Sequence, residues 1–204
     1  VSWLKNEGTR AEPRFLESRA VAVEWSGEQP RLGWGWLRSE GSGLLTQWRT
    51  TPVTVDLNRD GMMDLAMLDH EGYLAFFERI RRDDQLILKA PRRAFVDPQG
   101  QPIRLTAGTA GKSGRRKLCA TDWDGDGLTD FLLNSANADL LRCVEERSGQ
   151  WVMVPAGTLA KRNIEGHDVS PTTVDFDGDG VPDFLGGAED GRFYFLRNSR
   201  SERR

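Results

Sequence analysis

Apolar residues in this chain come in short runs of strand length, separated by polar and glycine-rich turns. Val53-Thr-Val55 alternates, and Leu65-Ala-Met-Leu68 is a compact apolar run, so a strand is predicted on either side of the acidic stretch between them. Tyr73–Phe77 and a segment near Leu86–Leu88 extend this to four strands. The succession recurs from Lys117 through Phe131–Asn134, Leu140–Val144 and Trp151–Val154, and again around Val174 and Phe193–Leu196. Val1-Ser-Trp3-Leu4-Lys5-Asn6 aligns with Phe193-Tyr-Phe195-Leu196-Arg197-Asn198, which gives the chain an isolated third strand at its start. The pattern is all-β.

Between the first and second strand of each unit lies the same kind of loop. Asp122, Asp124, Asp126 and Asp130 occupy positions 1, 3, 5 and 9 around Gly127. Four carboxylates at that spacing can converge on one hard cation, which takes six to eight oxygen ligands, and the glycine supplies the sharp turn. Without a cation, carboxylates about 4 Å apart repel by up to about 4 kcal/mol per pair at an effective dielectric of about 20. The earlier copy is Asp56, Asn58, Asp60 and Asp64; the later one is Asp175, Asp177, Asp179 and Asp183. Asn58 is a neutral ligand and should weaken the first site.

The copies align beyond their ligands. Thr51-Pro52-Val-Thr-Val55 parallels Ser170-Pro171-Thr-Thr-Val174, Gly72 falls on Gly191, and Phe76 falls on Phe195. An internal repeat is the economical explanation. An EF-hand is excluded, because its loop needs a bidentate Glu at position 12 and flanking helices. Position 12 is here Met67, Leu133 or Gly186.

These motifs resemble the FG-GAP or VCBS repeats, calcium-binding blades of β-propellers such as the integrin α-subunit head and several secreted polysaccharide-degrading proteins. Asp183-Phe-Leu-Gly-Gly-Ala188 is close to the Phe-Gly/Gly-Ala-Pro pattern behind one family name, with the Pro absent and Glu189 following. The resemblance implies four-stranded antiparallel blades with the cation in the hairpin between strands one and two, and up to three structural Ca2+. The chain then divides into a partial blade and its connection (1–48), blades at 49–113 and 114–168, and a partial last blade at 169–204. Because propellers close with four to eight blades, three repeats plus a partial blade read as part of a larger propeller that supplies the remaining blades.

The chemistry at the other end of the strands is more open. His70 lies in the turn between the second and third strands of the first blade, and His167 in the link into the third blade, so strand parity puts both on the face opposite the acidic loops. The most basic stretch, with Arg92, Arg93, Arg115 and Arg116, reaches the same face. A solvated surface and an anion site are both consistent with it. His70, His167 and Tyr73 are the candidate acid and base groups if the chain is part of a polysaccharide lyase, with the arginines neutralising a uronate. The glycine-rich stretch 106–113 fails as a P-loop, since Thr106 stands where the first glycine is required.

Composition narrows the rest. The chain has 204 residues and a formal net charge of −3, and three divalent ions would turn that charge positive. An anionic polysaccharide or a protein ligand is the partner expected, with no nucleic acid and no membrane span. Sites of this type saturate near 0.1–1 mM calcium, a level found outside cells. A secreted, periplasmic or cell-surface location follows, with calcium structural and binding the principal activity. Cys119 and Cys143 fall on the first and third strands of one blade, about 9–10 Å apart, too far for a disulfide.

Overall fold

The computed structural model describes residues 1–30, 41–83, 85–107, 115–135, 137–161, 164 and 169–201; Trp34, Trp36, Lys112, His167 and most of the glycine-rich stretch lie outside them. Among the described residues the fold is all-β, and no helix is long and apolar enough to cross a membrane. The chain opens with β1 (Ser2–Trp3) paired to β2 (Arg19–Ala20), followed by β3 (Val23–Glu24). The first repeat is an antiparallel meander of β4 (Val53–Val55), β5 (Asp64–Leu68) and β6 (Leu74–Phe77). A hairpin of β7 (Arg79–Arg82) and β8 (Gln85–Lys89) continues from it, and β9 (Phe95–Val96) leads towards the second repeat.

The second repeat is the most complete. Strands β10 (Leu118–Thr121), β11 (Asp130–Leu133), β12 (Asp139–Arg147) and β13 (Gln150–Thr158) run antiparallel in chain order, with β9 added parallel at the β13 edge. The third repeat has β14 (Ser170–Val174), β15 (Asp183–Gly187) and β16 (Phe193–Leu196). Register makes the three repeats superposable: Leu65 faces Phe77, Phe131 faces Leu141, and Phe184 faces Leu196.

Both faces of β5 and β11 are largely buried, which explains why these strands read as continuous apolar runs and not as alternation; β15 buries Phe184 and Gly186 but leaves Leu185 and Gly187 half-buried. Alternate side chains leave opposite faces of a strand. Ala66 and Leu68 of β5 therefore meet Phe131 and Leu133 of β11 in one core, while Met67 of β5 meets Val23 and Leu88 in another. Leu132 of β11 turns the other way, to Phe184 of β15. The sheets thus stack face to face in chain order, and the first strands β4, β10 and β14 lie side by side in sequence.

The first repeat departs from the four-stranded blade expected from the sequence. Its last strand, expected near Leu86–Leu88, pairs with β7 and, on its other side, in parallel with β3. At the break the N–H of Arg79 goes to the Asp64 carboxylate, and the chain beyond Glu78 continues into a separate sheet. The second repeat shows the milder form, a bulge between Cys143 and Glu145 where the Cys143 N–H goes to Asp130. Neither cysteine is in a disulfide, and burial raises both thiols, Cys143 to about 11.

Candidate metal centre

The three acidic loops connect β4 to β5, β10 to β11 and β14 to β15, all at one end of the stack. Their glycines at position 6, Gly61, Gly127 and Gly180, have φ of 84°, 86° and 82°, a left-handed backbone that favours glycine. Position 4 is left-handed too. It is Gly125 and Gly178 in the later loops but Arg59, at φ 58°, in the first. The first loop thus carries backbone strain that the others avoid.

Backbone N–H groups fix the acidic side chains from outside. Asp122 accepts from Gly125 at 2.7 Å and Gly127 at 3.1 Å; Asp124 Oδ1 accepts from Asp126, and Asp126 Oδ1 from Leu128. In the third loop Asp175, Asp177 and Asp179 accept from Gly180, Asp179 and Val181 in the same way. In the first loop Asp56 accepts from Asp60 and Gly61, Asn58 from Asp60, and Asp60 from Met62.

Position 9 is different in kind. Asp64, Asp130 and Asp183 are wholly buried, and each holds two backbone donors. One oxygen accepts from the loop's second residue: Leu57 at 3.3 Å, Trp123 at 3.0 Å and Phe176 at 3.4 Å. The other accepts at 2.8 Å from the third strand or the residues just past it: Arg79, Cys143 and Asn198. This carboxylate therefore ties the loop to a strand that is not its neighbour in sequence. Burial raises Asp130 to about 6 and raises Asp64 as well, against the lowering by their backbone hydrogen bonds.

A cation fits two of the loops. Carboxylate oxygens of Asp122, Asp124 and Asp130 lie within 4.8 Å of one another, as do those of Asp175, Asp177 and Asp183. Two oxygens on opposite sides of one calcium ion stand about 4.6–5.2 Å apart at bond lengths of 2.3–2.6 Å, so this spread of hard oxygen donors suits a cation of calcium's size. The first loop presents Asn58, whose Nδ2 donates to Asp60 Oδ2 at 3.0 Å and so turns a donor towards that carboxylate.

The candidate arginines go separate ways, and Arg92 departs from the expected face: its partner Gly149 lies in the β12–β13 turn, at the end of the acidic loops, while the others reach the opposite end. Arg92 lies over the Phe76 ring and donates to the Gly149 carbonyl; Arg116 donates to the carbonyls of Leu105 and Asn134. Arg93 pairs with Asp69 at 2.7 Å and with Glu71, and covers the Tyr73 ring at 3.9 Å, with Arg104 also over that ring at 5.1 Å. The Arg93 hydrogen bond holds Glu71 below the usual carboxylate range. Arg115 lines a cleft of about 350 Å3 with Arg49, Thr51, Lys117 and Glu189, where the first strands of neighbouring repeats begin. His70 lines another cleft, about 310 Å3, with Trp25, Glu28, Asp69 and Arg93, and its buried Nδ1 has no hydrogen-bond partner. The structure thus separates His70 from Arg115.

Sequence reasoning passed over the contribution of Arg49 to the basic cleft, and over Arg142 and Arg197, which reach the acidic loops from the third strand or the residue after it. Position in the register was the signal for the last two, hidden because the hairpins differ in length.

No curated protein matches the chain. The family model for the FG-GAP-like repeat matches residues 122–186, from the first aspartate of the second loop into β15. The chain is thus similar to the FG-GAP-like repeat over residues 122–186, and the same loop and carboxylate tie recur in the first repeat, before that match.

Proposed function

We propose that the chain is a calcium-stabilised, propeller-type binding module of a secreted, periplasmic or cell-surface protein, holding an anionic glycan or acidic protein segment at the end away from its metal loops. The observation that carries the reading is the convergence of the carboxylates in the second and third loops. The face-to-face order of the sheets and the side-by-side first strands favour blades around a common axis. Asp122, Asp124, Asp126 and Asp130, with the corresponding residues of the third loop, would hold the ions. Bound calcium supplies fixed positive charge that offsets carboxylate repulsion. The ligand reading rests on Arg49, Arg115 and Lys117, where guanidinium forks suit carboxylate or sulfate groups. The lyase alternative has less support: Arg93 and Tyr73 are engaged with each other and with Asp69 and Glu71.

Calorimetric titration of chelator-treated protein with calcium, paired with thermal melting, tests the metal reading. Two binding events are expected. At free calcium about 100 times Kd each site adds about 2.7 kcal/mol, or roughly 5–10 °C in Tm for a domain of this size. No heat and no shift would refute it. For the ligand, Arg115→Glu with Lys117→Glu should weaken binding to polygalacturonate by at least about tenfold, an effect of roughly 1.4 kcal/mol, and leave the calcium shift unchanged. Unaltered binding would remove the basic cleft from consideration.

A further inference from the structure

Arg142 and Arg197 occupy one position in the repeat. The register that pairs Phe131 with Leu141 and Phe184 with Leu196 makes each arginine the next residue along the chain, and the same step in the first repeat reaches Glu78. Arg142 Nη2 sits on Asp124 Oδ2 and lies 3.7 Å from Asp126 Oδ2. Arg197 does the same in the third loop, with Nε 2.8 Å from Asp177 Oδ2 and Nη2 3.6 Å from Asp179 Oδ2. The Oδ1 atoms of all four aspartates accept backbone N–H groups. The guanidinium thus covers the Oδ2 atoms, which take none of these backbone bonds. In the first repeat position 3 is Asn58, which itself donates to Asp60 Oδ2, and Glu78 is paired with Lys89 at 2.7 Å. Where the second acidic ligand is missing, the arginine is missing too.

We infer that Arg142 and Arg197 are tethered counter-cations that hold the metal-free loops in shape and compete with calcium for the carboxylates at positions 3 and 5. The inference rests on the reading of these loops as calcium sites. A guanidinium matches two carboxylate oxygens in its plane, whereas a calcium ion needs the same oxygens turned to one point. Entry of the ion displaces the arginine from Oδ2, so the loop exchanges one positive charge for two. The latch weakens calcium binding and spares the empty loop from self-repulsion. Both sites then fill and empty at higher free calcium than their carboxylate count alone would give.

The test is calorimetry on the parent protein, Arg142→Gln, Arg197→Gln and the double variant, each with melting in chelator. Each single substitution should tighten one of the two sites by at least about tenfold, equivalent to roughly 1.4 kcal/mol, leave the other site as an internal control, and lower Tm in chelator. Arg197→Lys, which keeps the charge but not the paired grip of Nε and Nη2, should fall between. Unchanged or weaker calcium binding in the Gln variants would overturn the latch and make the arginines supports for the ligands. If the parent binds no calcium, the metal reading is refuted for the parent. Binding that then appears in the double variant still supports the latch, and its absence there overturns both.

Discussion

Asp130→Ala is expected to cost about 3–5 kcal/mol and to lower Tm by roughly 6–20 °C, in chelator as well as in calcium. The side chain is wholly buried and accepts from Trp123 at 3.0 Å and Cys143 at 2.8 Å. Truncation leaves two buried N–H groups unpaired, and a buried donor without a partner costs about 1–3 kcal/mol. The bond from Cys143 is also what pins the acidic loop to the third strand and places the bulge beside it. Asp130→Asn should lose less, because its oxygen still accepts one bond and no charge is left in a site where burial already raises the carboxyl to about 6. Both variants should lose calcium binding at the second loop. Melting in chelator separates the roles: a Tm unchanged there would mean that Asp130 is a ligand and not a tie.

The second large effect is expected at Trp151. This side chain stands between the first two repeats, edge-on to Phe76 at 5.0 Å and stacked on Phe95 at 5.3 Å, while Phe95 meets Phe131 at 5.4 Å. Its backbone N–H donates to Ala94, and Trp151 pairs with Phe95 in the parallel contact between β13 and β9. Trp151→Ala removes a buried aromatic at about 3–5 kcal/mol. It also removes the coupling that lets stacked repeats unfold as one unit. Urea unfolding followed by circular dichroism should therefore show a lower midpoint and a broadened or split transition. Trp3, 44% exposed on β1, is the control; its replacement by alanine should change stability by less than about 1 kcal/mol. A single sharp transition in Trp151→Ala would mean that the repeats couple elsewhere.

The loops were legible because their chemistry is local. Glycine at position 6 and aspartates at odd positions dictate a turn and an inward set of oxygens within nine residues, and the left-handed φ of Gly61, Gly127 and Gly180 follows that expectation. The strands next to the loops were legible for a related reason, since short apolar runs bounded by turns admit few alternatives. What stayed hidden depends on partners distant in sequence. The parallel pairing of β3 with β8 and of β9 with β13 joins segments more than fifty residues apart, and no residue pattern announces it.

Position 2 of the loops shows how far the sequence reaches. Leu57, Trp123 and Phe176 are all apolar there, yet Leu57 and Trp123 are buried in cores shared with the next repeat, whereas Phe176 is 61% exposed with its ring against Phe195. Residue type alone made them equivalent; the sheet packed above decided their burial. The arginines divide in the same manner. Arg92, Arg93, Arg115 and Arg116 read as one basic stretch, and the fold sends them to an aromatic ring, an ion pair, a cleft and backbone carbonyls. By itself the sequence determined the repeat, the all-β class and the acidic loops, because each is set by short-range spacing. Only the tertiary structure decided which carboxylates are ties, which guanidiniums face the loops and where Arg49, Arg115 and Lys117 come together, because those follow from the register and stacking of strands far apart in the chain.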